Sequence, residues 1–210
     1  EGRIVYRHGV AAIDDTLAMG CWSPATSFGI GERCGADWRA RLLAEDGSAF
    51  RLLPDDGEPV EVHWPHCGEH NVENAVTAIA AAKHVGVTPA VAAAALAEFG
   101  GVKRRLELLG RPGDVAVYDD FAHHPTAIAT TRKGLRARGG SGRLIALIEP
   151  RSNTMRMGEH REQLAAATAD ADLVHWFQPE GMDWSLDSVI AGSPVTARLH
   201  TDIEALVGTV

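Results

Sequence analysis

Apolar and polar positions alternate in short groups over residues 38–64, "WRARLLAEDGSAFRLLPDDGEPVEVHW". Two Asp-Gly pairs, at 46–47 and 56–57, interrupt this alternation. Asp-Gly between apolar runs is a strong hairpin signal, because glycine readily adopts the backbone conformation that tight turns need. The pattern therefore predicts a meander of three short antiparallel strands.

Two helices are predicted after the meander. Apolar residues recur at helical spacing over residues 71–85, which indicates an alanine-rich helix. Thr88 and Pro89 predict the start of a second helix, since threonine caps helix N-termini and proline is favoured at the first helical position. The predicted buried stripe of this second helix consists of Val91, Ala92, Ala95, Leu96 and Phe99.

Beyond residue 113 the pattern changes to short apolar runs separated by helical segments. The predicted strands are Val115–Tyr118, Leu144–Ile148, Leu173–Phe177 and Val195–Leu199. A helix is predicted over 126–138, and another follows the second strand through Leu164. Strands that alternate with helices predict a parallel sheet covered on both faces. A basic run, two glycines and a proline over 103–113 predict a domain boundary.

Polar segments follow the first two predicted strands of this sheet. They are "DDFAHHP" at 119–125 and "EPRSNTM" at 149–155. Ligands of open parallel sheets bind at the carboxyl ends of the strands. Both segments hold more polar groups than a purely structural loop needs, so we expect them to form a binding site.

The composition is that of a packed, acidic protein. The 210 residues are 45% hydrophobic and 23% charged, with a formal net charge of −8. This charge argues against a general nucleic-acid binder, which needs a broad basic face. No apolar run reaches the roughly 20 residues of a membrane span, and three cysteines without CxxC spacing predict no disulfide framework. We expect a cytoplasmic protein that binds neither nucleic acid nor membrane.

The histidine-rich stretch "HWPHCGEHNVENAV" at 63–76 has two interpretations. Its candidate zinc ligands are His63, His66, Cys67 and His70. Pro65 and Gly68 disfavour a continuous helix there, and the chain lacks the paired ligand couples of a structural zinc site. The second interpretation is a loop leading into a helix. Asn71 and Asn74 are then neighbours in the first turn, where asparagine either caps the helix or suits the edge of a purine ring.

Five motifs follow one another along the chain. They are "GCWSP" (Gly20–Pro24), "GEHNVENAVTAIAAAKHVGV" (Gly68–Val87), "GVKRRLE" (Gly101–Glu107), "YDDFAHHPTAI" (Tyr118–Ile128) and "EPRSNTMRMG" (Glu149–Gly158). Together these motifs resemble the Mur ligase family of ATP-dependent peptide-bond-forming enzymes. The first and last of these are similar to the peptidoglycan-recycling branch of the family. The resemblance covers essentially the whole chain, and it favours a nucleotide enzyme over a zinc protein.

The resemblance implies an α/β fold in two parts. Residues 1–102 correspond to the C-terminal part of the family's central, ATP-binding domain, an antiparallel meander plus helices. Residues 103–210 correspond to its Rossmann-like C-terminal domain, with a mainly parallel sheet that we expect to be truncated at its end.

The resemblance also assigns a nucleotide site. Asn71 and Asn74 match the family's pair near the adenine, and Asp120 matches the acidic residue that binds the ribose hydroxyls. Arg105 matches the arginine that reaches the phosphates and is therefore assigned a catalytic role. A guanidinium suits that role because its planar fork pairs with phosphate oxygens and it stays charged.

The acceptor peptide is assigned to two loops. His123 matches a histidine of the family's "AH-x-P" loop, which orients that loop or lies near the peptide, and it is a second catalytic candidate. The other assigned residues, in the segment that contacts the incoming amino acid in related ligases, are Glu149, Arg151, Ser152 and Asn153. An arginine together with an acidic partner suits a peptide that ends in a zwitterionic centre.

The implied activity joins UDP-N-acetylmuramate to the murein tripeptide L-Ala-γ-D-Glu-meso-diaminopimelate through an acyl phosphate, with ATP and Mg²⁺. The phosphate-binding glycine loop with its lysine is not found, and "FGIGERCG" at 28–35 lacks the Lys-Thr/Ser pair. We therefore expect a ligase fragment that is inactive alone, with no metal ligand of its own. The alternatives are the L-alanine-adding ligase of the main pathway and a stand-alone nucleotide- or peptide-binding module.

Overall fold

The computed structural model describes residues 2–139 and 141–210. The chain divides into two compact units, Glu1–Gly101 and Val102–Val210. No helix in the described ranges is both long and apolar enough to cross a lipid bilayer.

The first unit is a five-stranded mixed sheet with helices. Its strands are β1 (Ile4–Arg7), β2 (Ala25–Ile30), β3 (Trp38–Leu42), β4 (Ala49–Pro54) and β5 (Val60–His63). They lie in chain order, with β1, β2 and β3 parallel and β3, β4 and β5 antiparallel. The predicted meander is therefore confirmed, and the structure adds two parallel strands to it.

Three helices accompany this sheet: α1 (Ala11–Ala18), α2 (Glu69–His84) and α3 (Pro89–Ala97). α2 packs on β1, β2 and β3. The fully buried side chains Val72, Val76 and Ile79 join the sheet residues Phe50 and Leu52 in one core. Both helices predicted after the meander are confirmed.

The predicted buried stripe of α3 is wrong. Its buried residue is Ala93, whereas Val91 is 61% exposed and Phe99, just beyond the helix, is 43% exposed. α3 packs on α2 and β5, and of the predicted stripe only Ala92 and Leu96 are packed against the core. A helix of almost uniform alanine has no apolar periodicity from which the buried face could be located.

The second unit contains two sheets and five helices. Its strands are β6 (Glu107–Gly110), β7 (Val117–Asp119), β8 (Ile145–Ile148), β9 (Leu173–Phe177) and β10 (Thr196–His200). Its helices are α4 (Pro125–Gly139), α5 (Asn153–Arg156), α6 (Arg161–Leu164), α7 (Asp187–Ala191) and α8 (Ile203–Val207), with a 3₁₀ turn at Ala166–Thr168. β8, β9 and β10 form a parallel sheet in the order β10-β9-β8, which confirms the predicted parallel α/β arrangement.

Three expectations for this unit are corrected. The run Val115–Tyr118 does not join the parallel sheet, because β7 pairs antiparallel with β6, a strand that the sequence pattern did not predict. The helix expected through Leu164 is broken into α5 and α6, because Gly158 between them has φ +78°. The sheet is not covered on both faces at β8, where Ile145 and Leu147 are 39% and 55% exposed.

The opposite face of the parallel sheet forms the core of the second unit. Val174 and Trp176 of β9 are fully buried there. Ile128 of α4, Met155 of α5 and Leu164 of α6 pack into the same cluster. This core supports both polar loops, since α4 follows 119–124 and α5 follows 149–152.

Candidate functional site

The candidate adenine residues lie in the first turns of α2. The helix begins after Gly68, which has φ +96°. The Asn71 amide donates from Nδ2 to the carbonyl oxygen of Cys67, at 2.7 Å, which closes the loop that enters the helix. Asn74 is exposed, and its side chain forms no hydrogen bond within the described part of the chain. Asn74 therefore has a complete amide edge to offer a ligand, whereas Asn71 has already used one donor.

His66, in the loop that precedes α2, is engaged in packing. The His66 ring lies 5.0 Å from the Trp64 ring and 5.4 Å from the Phe99 ring, and its Nε2 is 2.9 Å from the Phe99 carbonyl oxygen. Cys67 is fully buried. Among residues 2–139 and 141–210, no three His, Cys, Asp or Glu side chains are placed together as metal ligands.

The basic segment of the second unit has an unusual backbone. Arg104 has φ +58° and Leu106 has φ +54°, and they are the two non-glycine residues with positive φ in the described chain. This region is uncommon for residues with a Cβ, and such residues concentrate at functional sites. Arg105, the sequence-predicted phosphate ligand, lies between them, with an exposed side chain.

Asp120 joins this segment to the loop that follows β7. Its Oδ2 accepts the Leu106 N–H at 2.9 Å, and its Oδ1 accepts the Ala122 N–H at 2.7 Å. The Thr131 hydroxyl also donates to Oδ2, at 3.4 Å. A carboxylate offers about four lone-pair positions. Asp120 therefore fixes the loop and retains acceptor capacity for a ligand hydroxyl.

Phe121 lies among the predicted site residues, and sequence reasoning did not single it out. Its ring is 45% exposed, and the guanidinium carbons of Arg104 and Arg105 lie 5.2 and 5.9 Å from its centroid. The His123 ring lies 5.0 Å from the same ring, centroid to centroid. Cations close to an aromatic face are attracted by the ring quadrupole. The structure thus brings Arg105 and His123 together around one exposed ring, and an aromatic residue directly after the acidic pair was the available signal.

The second polar loop contacts the first. The Ser152 hydroxyl donates to the His123 carbonyl oxygen at 3.4 Å and caps α5 by accepting the Met155 N–H at 3.3 Å. The side chains of Glu149, Arg151 and Asn153 are exposed and form no hydrogen bond among the described residues. The structure therefore joins Ser152 to the His123 loop and leaves the other three predicted residues unconstrained.

A further set of contacts fixes the turn after this loop. The Trp184 indole N–H donates to the Met155 carbonyl oxygen at 3.0 Å, and Gly158 lies against the same indole. Arg156 donates to the carbonyl oxygens of Glu180 and Gly181, at 3.2 and 3.0 Å. These contacts join segments distant in sequence, so no local pattern could have predicted them.

A family model described as "Mur ligase, glutamate ligase domain" matches residues 104–209, half of the chain. The chain belongs to the Mur ligase family. The match includes the segment around Arg105 and both polar loops of the second unit.

Relatives within the Mur ligase family match the first unit as well. The UDP-N-acetylmuramate–L-alanyl-γ-D-glutamyl-meso-2,6-diaminoheptandioate ligase of Escherichia coli (strain K12) is 44% identical over 211 residues, covering 100% of this chain and 45% of that protein. The UDP-N-acetylmuramate–L-alanine ligase of Thermobifida fusca is 38% identical over 180 residues, covering 79% of this chain and 38% of that protein.

A solved structure agrees with these sequence relatives. The crystal structure of a murein peptide ligase from Psychrobacter arcticus 273-4 superposes with a TM-score of 0.71 at 39% identity, covering 99% of this chain and 45% of that one. The chain thus spans less than half the length of each of these three relatives.

Proposed function

We propose that this chain is part of an ATP-dependent ligase that joins UDP-N-acetylmuramate to the tripeptide L-Ala-γ-D-Glu-meso-diaminopimelate. The supporting observation is the 44% identity to a ligase of that name along the whole chain, including both polar loops. A cytoplasmic location belongs to the same proposal, and the three free cysteines fit a reducing compartment.

The nucleotide is assigned to residues whose geometry suits it. The exposed amide of Asn74 suits a purine edge, and the remaining acceptor position of Asp120 suits a ribose hydroxyl. The exposed guanidinium of Arg105, which makes no ion pair among the described residues, suits phosphate oxygens. ATP, when bound, supplies the phosphoryl group that activates the muramate carboxylate. The contribution of Arg105 is to hold phosphate oxygens and to offset the charge that develops on them.

Mg²⁺ has no comparable set of ligands here. The described residues place no three carboxylate, histidine or cysteine side chains together for a metal. We assign no step of this chain to Mg²⁺.

The acceptor peptide is assigned to the loop at 149–153 and to His123. A diaminopimelate end carries both an ammonium and a carboxylate. The exposed side chains of Glu149 and Arg151 offer one charge of each sign to that end, and Asn153 adds an amide. The Ser152 hydroxyl donates to the His123 carbonyl oxygen, so a peptide that binds the loop at 149–153 should also affect the position of the His123 loop.

An amide NMR titration of the chain with Mg-ADP tests the nucleotide assignment. We expect shifts at Asn74, at Arg105 and at Phe121, and loss of those shifts in Arg105→Ala. The matched control is Arg161→Ala, which removes an exposed arginine of the same unit and should leave the titration unchanged. Equal effects of the two variants would contradict the assignment of Arg105.

The acceptor is tested with two compounds. The tripeptide is expected to shift the amides of Arg151 and Asn153, while L-alanine is expected to leave them in place. The L-alanine ligase is the second candidate function, supported by the 38% identity to a ligase of that name. The reverse pattern of shifts would favour it.

A further inference from the structure

The backbone around Arg105 is held in an unfavourable conformation. The residues before and after it, Arg104 and Leu106, both have left-handed φ values, +58° and +54°. An L-residue adopts this conformation only when its surroundings over-determine it. Two such residues flank the exposed Arg105, so local contacts must stabilise their backbone conformation. The hydrogen bonds of residues 104–106 provide this stabilisation.

Every backbone N–H of this segment has an acceptor. The Arg104 N–H donates to Oε2 of Glu107 at 2.8 Å, and the Leu106 N–H donates to Oδ2 of Asp120 at 2.9 Å. The N–H of Arg105 itself donates to the Val102 carbonyl oxygen at 3.0 Å. Each left-handed residue is thus held by one carboxylate, a stronger acceptor than a neutral oxygen.

Glu107 faces another carboxylate across the strand pair β6–β7. Glu107 is the first residue of β6 and lies opposite Asp119 of β7. Two carboxylates directly opposite on a strand pair repel each other. The Arg104 side chain reduces this repulsion, because its Nε–H donates to Asp119 Oδ2 at 3.2 Å. The Arg104 backbone N–H donates to Glu107. In its observed conformation Arg104 thus binds both carboxylates of this cross-strand pair.

We propose that Glu107 is a positioning residue that directs Arg105 toward the nucleotide phosphates. This inference rests on the proposed function, in which Arg105 holds those phosphates. Glu107 acts through the backbone: it accepts the Arg104 N–H, and the Arg104 carbonyl oxygen, on the other side of the same Cα, accepts the Phe121 N–H at 2.8 Å. These two bonds hold Arg104 between Glu107 and Phe121, and the exposed Arg105 guanidinium that follows lies 5.9 Å from the Phe121 ring centroid.

Two substitutions of Glu107 separate its acceptor oxygen from its charge. Glu107→Gln keeps an oxygen that accepts the Arg104 N–H, whereas Glu107→Ala removes it. In Mg-ADP titrations followed by amide NMR, we expect Glu107→Ala to weaken binding roughly tenfold, as misplaced contact groups do. Glu107→Gln should bind Mg-ADP like the parent chain. Adenosine, which lacks phosphates, should bind all three proteins equally.

A double-mutant cycle shows whether Glu107 acts through Arg105. In the Arg105→Ala background, Glu107→Ala should cause no further loss of Mg-ADP affinity. An equal additional loss, or a Glu107→Gln variant as weak as Glu107→Ala, would overturn the inference and leave the proposed function standing. An Arg105→Ala chain that binds Mg-ADP like the parent would instead overturn the part of the proposed function on which this inference rests, the assignment of Arg105 to the phosphates.

A measurement without ligand guards against general misfolding. Hydrogen exchange should become faster at the Arg104 amide in Glu107→Ala, while the amides of β9 keep their protection. Loss of protection in β9 as well would mean that Glu107 supports the whole fold, which also contradicts a positioning role.

Discussion

The Asp120 side chain, the proposed ribose ligand, also stabilises the local fold. Its two oxygens accept the backbone N–H groups of Leu106 and Ala122, at 2.9 and 2.7 Å. The ribose assignment from sequence used only the chemistry of the carboxylate. The structure adds that this carboxylate joins Leu106, the left-handed residue after Arg105, to the loop after β7. We therefore expect its loss to lower local stability in addition to any effect on the proposed ribose contact.

We expect Asp120→Asn to lower the free energy of unfolding of the second unit by about 1–2 kcal/mol. The amide keeps one acceptor oxygen and presents its NH₂ group to the other N–H, which is left without an acceptor. Urea unfolding measures the change. Asp114→Asn, in an exposed position of the same unit, is the control and should be neutral within about 0.5 kcal/mol. Equal stability of the two variants would contradict the structural role of Asp120.

His175 is a buried histidine that neither the nucleotide nor the peptide assignment uses. It lies in β9, and its Nδ1 is 2.9 Å from Nε2 of His200 in β10. Burial lowers the pKa of His175 from its ordinary value, and the nearby His200, Arg198 and Arg143 lower it further. The native protein therefore resists protonation at this position.

The second unit should lose stability in acid because of His175. Below a pH of about 6.5 His175 is protonated in the unfolded chain but stays neutral in the folded chain, whose pKa is lower. The free energy of unfolding therefore falls as the pH drops from about 6.5 to the lowered pKa of the folded state. Urea unfolding at several pH values measures this, and His175→Leu should flatten the dependence. His84→Gln, which removes an exposed histidine, is the control and should leave the pH dependence of the free energy of unfolding unchanged. An equal flattening in this variant would show that His175 does not cause the pH dependence.

At the scale of elements, local signals predicted the meander and α2, while tertiary pairing decided the rest. The Asp-Gly pairs marked both turns of the meander, and Thr88-Pro89 marked the start of α3. The run Val115–Tyr118 was apolar enough for the parallel sheet, but pairing with β6 placed it in a separate ribbon. Strand partners depend on residues distant in sequence, so an apolar run predicts a strand without predicting its sheet.

The site residues follow the same division. Sequence motifs indicated Arg105, Asp120 and the loop at 149–153. They did not indicate Phe121 or Glu107, because the role of each comes from the left-handed backbone around Arg105, which only the folded contacts impose.

Gly158 follows the end of α5 and lies beside the Trp184 indole, so a side chain at this position should strain the turn between α5 and α6. Its φ is +78°, and a Cβ would lie 3.1 Å from Cδ1 of Trp184. We expect Gly158→Ala to destabilise the second unit by about 1–2 kcal/mol, since the new methyl group adds both backbone strain and a close contact. Urea unfolding measures this. Gly110→Ala, where a Cβ meets nothing within 4 Å, is the matched control, and a similar cost there would contradict the explanation.

The loop before α2 permits a test of packing against metal binding. His66 lies against the Trp64 and Phe99 rings, so His66→Ala should destabilise the first unit by about 1–3 kcal/mol through lost contacts and a lost partner for the Phe99 carbonyl. Thermal unfolding with and without EDTA measures both effects. We expect the chelator to leave the melting temperature of the parent chain unchanged; a fall on chelation would revive the zinc interpretation.

For the whole molecule, the decisive feature is that each unit has its own hydrophobic core. One core contains Ile79 and the other contains Leu164, and no residue belongs to both clusters. A unit with a complete core unfolds as a cooperative block of its own when few apolar contacts depend on its neighbour. We therefore expect two unfolding transitions that respond separately to core substitutions.

Ile79→Ala and Leu164→Ala form a matched pair for this expectation. Both side chains are fully or almost fully buried, with exposures of 0% and 1%, so each truncation should cost about 2–5 kcal/mol. Hydrogen exchange in increasing urea resolves the units by their peptides. Ile79→Ala should shift only peptides before residue 102, and Leu164→Ala only those after it. If either variant shifted both sets of peptides equally, the two units would unfold together. Having separate cores would then not be enough to make the units unfold separately.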